Sequence, residues 1–101
     1  MIDPFTAIAD PTRRRIIALL AEQDRTVNEI SDAFDLTRPA ISKHLRVLRE
    51  TGLVIEKKEG RQHVQSFNGD GLAPLSDWVR MYEDFWVRKL AKLKSMLEND
   101  Q

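Results

Sequence analysis

Two short stretches hold side chains suited to binding chemistry. Arg38, Ser42, Lys43, His44 and Arg46 fall within nine residues, with Thr37 just before them, and Lys57, Lys58 and Arg61 follow within five. Ammonium and guanidinium groups pair with phosphate, arginine forks onto the edge of guanine, and hydroxyl and imidazole groups donate and accept hydrogen bonds. This is the chemistry of nucleic-acid recognition. Catalytic chemistry has no comparable support. Ser42 has no His–acid partner that the sequence can assign, and there is no glycine-rich phosphate loop. Asp77 and Asp84 are seven apart and share one helix face, with Glu83 nearby. No nucleophile accompanies them and Arg80 and Arg88 can neutralise them, so they read as a solvated face. The chain has no cysteine, and its two histidines, His44 and His63, are 19 apart. That spacing suits no metal site. No catalytic residue, metal ligand or cofactor is assigned.

The overall charge at first argues against a nucleic-acid partner, since 16 basic and 16 acidic residues cancel. The distribution reverses that impression. Residues 1–36 carry 4 basic and 7 acidic groups, a net of −3. Residues 37–67 carry 7 and 3, a net of +4, and residues 68–101 carry 5 and 6, a net of −1. Both basic stretches lie in the positive segment, and what matters for partners is where the charge sits.

A chain of 101 residues is one domain in size, and 42% apolar with 32% charged residues is too apolar for disorder. No run approaches the roughly 20 apolar residues of a membrane span. The start, Met1-Ile2-Asp3-Pro4-Phe5, lacks the features of a secretory signal. The absence of cysteine suits a reducing compartment, so a cytoplasmic location is expected.

The elements that must position these groups follow from local rules. Asp3-Pro4 opens a short apolar stretch to Ala9. Asp10-Pro11 restarts a helix to about Glu22, with Ile16, Ile17, Leu19 and Leu20 inward; Arg13, Arg14 and Arg15 on its first turns are expected to pair with nearby acids. Thr26-Val27-Asn28-Glu29 is a capping box opening a helix with Val27, Ile30, Ala33 and Phe34 inward. Asp35-Leu36-Thr37 leaves room only for a tight turn. Pro39 then suits the first turn of a helix running to Thr51, which Gly52 ends. Its inward stripe is Ile41, Leu45 and Leu48. Leu53–Lys58 and Gln62–Phe67 read as two strands joined by Glu59-Gly60-Arg61, and residues 68–71 read as a loop. A long helix spans 73–98.

Helix, three-residue turn, helix is the pattern of a helix-turn-helix, here residues 26–51. The basic hairpin at 53–67 beside it makes a wing. Residues of the second helix are placed to meet DNA: Thr37, Arg38, Ser42, Lys43, His44 and Arg46, with Lys57, Lys58 and Arg61 of the wing on phosphates. His44 has a second reading, as packing near the wing. The fold expected is mainly α with a small β-wing, one domain over 1–101, ordered as four helices, two strands and a fifth helix.

The long helix carries Leu75, Trp78, Val79, Tyr82, Phe85, Trp86, Leu90, Leu93, Met96 and Leu97 at spacings of three and four, over roughly 35 Å. One small domain cannot cover such a stripe. Trp78, Tyr82, Phe85 and Trp86, with Phe5 and Ile8, are therefore expected to bury against a second copy.

Three segments resemble ArsR/SmtB-type winged helix-turn-helix repressors. Residues 10–20, Asp10-Pro11-Thr12-Arg13-Arg14-Arg15 and the apolar run after it, resemble that family's second helix. Residues 36–54, Leu36 through Val54, resemble its recognition helix and entry to the wing. Glu59-Gly60-Arg61 resembles its wing tip. The resemblance covers about residues 3–98 with the elements in order. It implies a homodimer paired through the first and last helices, bound to an inverted-repeat operator in double-stranded DNA and repressing transcription. Many members sense metal through cysteine before the recognition helix, or through Asp, His and Glu on the last helix. Residues 26–34 lack cysteine, and the last helix lacks histidine and cysteine. The chain is thus similar to a metal-free branch, with no inducer identified. The rival reading is a winged-helix module that binds protein and not DNA. Such a module often carries apolar or acidic residues where Arg38, Lys43 and Arg46 stand.

Overall fold

A computed structural model describes residues 2–99. Of the single domain expected over 1–101, Met1, Asp100 and Gln101 lie outside the described residues. Helices α1 (Pro4–Ile8) and α2 (Pro11–Glu22) are followed by strand β1 (Arg25–Thr26), helices α3 (Val27–Ala33) and α4 (Arg38–Glu50), strands β2 (Val54–Glu59) and β3 (Gln62–Phe67), a 3-10 turn (Gly69–Leu72) and helix α5 (Ala73–Asn99).

The first four helices start where a short polar side chain can accept from orphan N–H groups. Asp3 accepts from the Thr6 amide at 2.8 Å, and Asp10 from the Arg13 amide at 3.1 Å. The Thr26 hydroxyl accepts from the Glu29 amide at 3.2 Å, and the Glu29 carboxylate accepts from the Thr26 amide at 3.0 Å. Thr37 accepts from the Ala40 amide at 3.3 Å. Helix α4 stops in a Schellman arrangement: Gly52 N–H donates to Arg49 C=O at 3.1 Å and Leu53 N–H to Leu48 C=O at 3.0 Å. Gly52 sits at φ +79°, where a side chain would be strained.

The core lies where α2, α3, α4 and the base of the sheet converge. Ile16, Ile30, Ile41, Leu45, Leu48 and Leu53 are all fully buried there. Ile17 and Leu19 pack against this cluster only in part. Ala33 was expected inward but is exposed. Helix α3 ends at that residue, and the extended backbone of Phe34 carries the next side chain inward instead.

The hairpin was expected to stand as two strands, but the sheet has three, antiparallel and in the order β1-β3-β2. Arg25 pairs with Gln65 and Thr26 with Val64, making β3 the central strand. Two residues are too few to display the alternation that reveals a strand in sequence. Pairs run from Val54↔Phe67 to Glu59↔Gln62, so the turn is only Gly60-Arg61. Gly60 takes φ +62° while Arg61 does not, the pattern of a II′ hairpin turn. Strand β2 begins one residue later than Leu53, whose amide belongs to the helix stop. The expected loop at 68–71 winds into a 3-10 turn.

Arg13, Arg14 and Arg15 depart from the expected ion pairs; among the described residues none is bridged to a carboxylate. Arg13 donates from Nε to the Ala7 carbonyl at 2.6 Å and from Nη2 to that of Thr6 at 3.2 Å. Arg14 donates to the Ile8 carbonyl at 2.6 Å. Both guanidinium groups donate to carbonyls at the C-terminus of α1, where cations are favoured; that of Thr6 also accepts from the Ala9 amide at 3.2 Å. Arg15 lies over the Phe34 ring, 4.7 Å from its centroid.

Helix α5 leaves the body. Leu75 is its one buried residue among those described. The described chain measures 69 × 27 × 22 Å with a radius of gyration of 19.0 Å. A compact chain of this length would have about 13 Å.

Candidate nucleic-acid interface

Helix α4 is divided lengthwise. Ile41, Leu45 and Leu48 are fully buried, whereas Arg38, Ser42, Lys43 and Arg46 are exposed. The inward stripe anchors the helix on the core, so the cationic side can only face outward. Thr37 sits at the cap, where its hydroxyl oxygen already accepts the Ala40 amide; its proton remains available. Arg46 Nε lies 3.2 Å from Glu50 Oε1 one turn away, an exposed pair. Such a pair is worth a few tenths of a kcal/mol, about 0.3–0.5, and yields readily to a phosphate.

His44 is placed differently from its neighbours. It is half-buried against α2, with Nδ1 3.4 Å from Arg13 Nη1. Arginine has donors only, so Nδ1 accepts there and Nε2 carries the ring proton. Asp10 lies close by. Partial burial pushes its carboxyl up, but the Arg13 amide, the positive charge of the His44 ring when protonated, the Thr12 amide and the Arg13 charge outweigh that, leaving it below the usual carboxylate range.

The wing follows directly from the end of α4. Lys57, Lys58 and Arg61 are exposed on β2 and the turn. Lys58 lies opposite His63 in the ladder. Two clefts join wing and helices. Arg38, Arg61, His63, Thr26 and Asn28 line one of about 140 Å³. Arg38, Ser42, Arg49, Glu56 and His63 line another of about 250 Å³. Arg38 is common to both, so the start of α4 and the wing tip share one concave surface. Asn28 joins this surface from the start of α3; its position two residues after a cap was the only sequence signal that could have singled it out.

Arg49 is exposed on one side only and turns toward the wing. Its Nη1 donates to Gln65 Oε1 at 3.1 Å and lies 4.0 Å from Glu56 Oε1. Gln65 Nε2 in turn donates to Glu56 Oε1 at 2.8 Å. Sequence reasoning missed Gln65, because a polar residue in an imperfectly alternating strand reads as solvent-facing.

No three His, Cys, Asp or Glu side chains gather into a metal-binding group among the described residues. None of the described helices is long and apolar enough to cross a membrane.

At the opposite side of the molecule, Phe5 of α1 meets Trp78 of α5 edge-on, with centroids 5.9 Å apart, and Trp78 meets Tyr82 at 4.7 Å. Phe85 and Trp86 contact each other at 5.9 Å. Phe5, Trp78, Tyr82, Phe85 and Trp86 are all 40–59% exposed. Ile8 is half-buried and lines a mainly apolar groove with Leu72, Leu75, Trp78 and Val79.

A helix-turn-helix with an outward cationic second helix, backed by a three-stranded sheet that ends in a basic turn, defines a winged helix-turn-helix protein. The family model described as bacterial regulatory protein, arsR family, matches residues 10–56. The transcriptional repressor SdpR of Bacillus subtilis is 34% identical over 79 residues, covering 78% of this chain and 88% of that protein. The HTH-type transcriptional regulator Rv2034 of Mycobacterium tuberculosis is 33% identical over 96 residues, covering 95% and 87%. Among solved structures, a possible transcriptional regulator for arsenical resistance superposes with a TM-score of 0.73 at 39% identity, covering 94% of this chain and 96% of that one. A homodimeric winged helix-turn-helix DNA-binding domain from Mycobacterium bovis, from a possible ArsR-family regulator, superposes with a TM-score of 0.63 at 31% identity, covering 77% and 72%. The chain belongs to the ArsR family, whose members are transcriptional regulators and not enzymes.

Proposed function

We propose that this chain is a sequence-specific, double-stranded-DNA-binding repressor that works as a homodimer on an inverted-repeat operator. The chain acts as one winged domain, with the helix-turn-helix at 26–51, the wing at 53–67 and the dimerisation helix at 73–98. The observation that carries this reading is the divided surface of α4. Three fully buried aliphatic residues oppose a row of exposed Arg38, Ser42, Lys43 and Arg46. Two such helices related by a two-fold axis enter successive major grooves about 34 Å apart. Thr37, Ser42 and the arginines reach base edges or phosphates, His44 lends its Nε2 proton from the flank, and Lys57, Lys58 and Arg61 follow the adjacent backbone.

The dimer reading is supported by α5. An apolar stripe runs from Leu75 to Leu97, and apart from Leu75 its residues are 44–61% exposed. A contiguous exposed apolar face of this kind marks an interaction surface. Phe5 and Ile8 extend it onto α1. Repression then follows from occupying the promoter against polymerase.

The absence of a metal- or thiol-sensing site rests on the donor set. The chain has no thiol, and its two imidazoles stand on α4 and β3, tied to Arg13 and facing Glu56. Soft or borderline metals need nitrogen or sulfur ligands gathered at one point.

The test is selection of bound duplexes from a random-sequence library, followed by titration at two salt concentrations. Sites should emerge as inverted repeats, and log affinity should fall with log salt by about 0.9 per phosphate neutralised. Failure to select any duplex at micromolar protein in low salt would refute the reading.

A further inference from the structure

Gln65 is a fully buried amide in the middle of the sheet. Its backbone pairs with Arg25 on one side and Glu56 on the other. Both ends of its side chain are used: Oε1 accepts from Arg49 of α4 at 3.1 Å, and Nε2 donates to Glu56 of β2 at 2.8 Å. Arg49 and Glu56 themselves approach to 4.0 Å, and His63 Nδ1 of β3 lies 3.7 Å from the same Glu56 oxygen. The carboxamide is thus the middle link of a chain from the recognition helix to both strands of the wing.

Burying a glutamine side chain is costly unless each end is satisfied, and a core of this size could have used an apolar residue here. The apolar contacts between α4 and the hairpin are non-directional, and most of them lie at its base, at Leu53 and Val54. Strand β1 holds β3 by backbone pairing only at Gln65 and Val64, and past those two residues the hairpin is a two-stranded ribbon. Hydrogen bonds to ionised groups are directional, and here they converge on one buried amide whose two charged partners, Arg49 and Glu56, stay partly exposed. Arg49 is anchored in a helix that is itself locked on the core by Leu45 and Leu48. Gln65 transmits that position to β3, and Glu56 passes it to β2.

We infer that Gln65 is a positioning residue for DNA binding: its carboxamide, bonded to Arg49 and Glu56, sets the angle between the recognition helix and the wing, so that Arg61 and Lys58 meet the backbone while α4 lies in the groove. The inference rests on the DNA-binding reading above. Gln65 does not touch DNA itself, and Arg49 acts through it.

The reciprocal exchange of the two partners tests it. Gln65→Glu alone sets a carboxylate against Glu56 and breaks the chain. Gln65→Glu combined with Glu56→Gln restores an acceptor for Arg49 and an amide donor beside it, with the net charge unchanged from the parent protein. Each protein is titrated with a duplex selected by the unsubstituted chain, and amide hydrogen exchange is followed over residues 56–63 without DNA. Gln65→Glu should weaken binding about tenfold or more and speed exchange in the wing, and the double exchange should recover both. The loss caused by Arg61→Ala should shrink in the Gln65→Glu background, while the loss caused by Arg46→Ala should not. If Gln65→Glu does not fold, Gln65→Met removes both bonds without adding charge and should likewise weaken binding, speed exchange in the wing and shrink the Arg61→Ala loss. Unchanged wing exchange, no recovery in the double exchange, or an equal Arg61→Ala loss in both backgrounds overturns the inference while leaving the DNA-binding reading intact. An unsubstituted chain that selects no duplex overturns both.

Discussion

Arg13 Nε on α2 donates to the Ala7 carbonyl at 2.6 Å, tying the helix that leads into the core to the end of the helix that borders α5. The same guanidinium reaches the Thr6 carbonyl at 3.2 Å and His44 Nδ1 of α4 at 3.4 Å. One side chain therefore links the end of α1 to the flank of α4. Arg13→Ala should cost about 2 kcal/mol of stability, because it strips a charged donor from the Ala7 carbonyl, while the Thr6 carbonyl keeps the Ala9 amide. Arg13→Lys should recover only part of it, since an ammonium cannot present the guanidinium fork. Urea denaturation of the three proteins measures this; equal midpoints would dismiss the role of the fork.

Arg46 offers the cleanest separation of binding from folding. Its side chain is 77% exposed and, among the described residues, makes only the surface pair with Glu50. Arg46→Ala should leave the thermal midpoint within about 4 °C, given that an exposed pair one turn apart contributes about 0.3–0.5 kcal/mol. Binding to a selected duplex should weaken by roughly 1–3 kcal/mol if Arg46 reads a base, with relaxed specificity at that position. If it meets a phosphate, the salt slope should fall by about 1 with specificity kept. Unaltered affinity and slope would remove Arg46 from the interface.

Trp86 lies far along α5 and is 59% exposed. Trp86→Glu should therefore leave the fold of each chain intact while placing a charge in the proposed interface. Sedimentation should report twice the chain mass, 11.7 kDa, for the unsubstituted protein and one chain mass for the variant. DNA binding should fall together with dimerisation, since two half-sites must be engaged at once. A variant that sediments like the parent would place the interface elsewhere.

The capping box of α3 carries a pH signature. The Thr26 amide, and then the Thr26 hydroxyl, hold the Glu29 carboxyl below its ordinary value. A carboxylate depressed in the folded state stabilises above its unfolded pKa, about 4.3, and loses that contribution as pH falls through the lower folded value. Stability measured from pH 6 downward should accordingly drop less steeply in Glu29→Gln than in the parent protein. Parallel curves would show that the cap carries no ionic component.

What the sequence determined by itself was everything set within about four residues of chain. Asp3, Asp10 and Thr26 each open an element where their side chains announce it, Pro39 marks the first turn of α4 and Gly52 its stop, and the 3-4 spacing of Ile41, Leu45 and Leu48 divides the recognition helix into an inner and an outer face. Those signals are short-range because a cap reaches only the next turn and periodicity needs only one element. They sufficed for the winged helix-turn-helix and for most of its cationic face. The tertiary structure decided what depends on partners distant in the chain. Arg25 and Thr26 become a strand only because Gln65 and Val64 arrive beside them. Gln65 is buried, where a polar residue in a hairpin would be expected in water, because Arg49 and Glu56 satisfy both ends of its amide. His44 belongs to the same helical face rule as Lys43, yet Arg13, 31 positions away, draws it toward the scaffold. Hydrogen bonds between such groups leave no spacing in the sequence, since the chain between them is free to vary while the fold brings them to 3 Å.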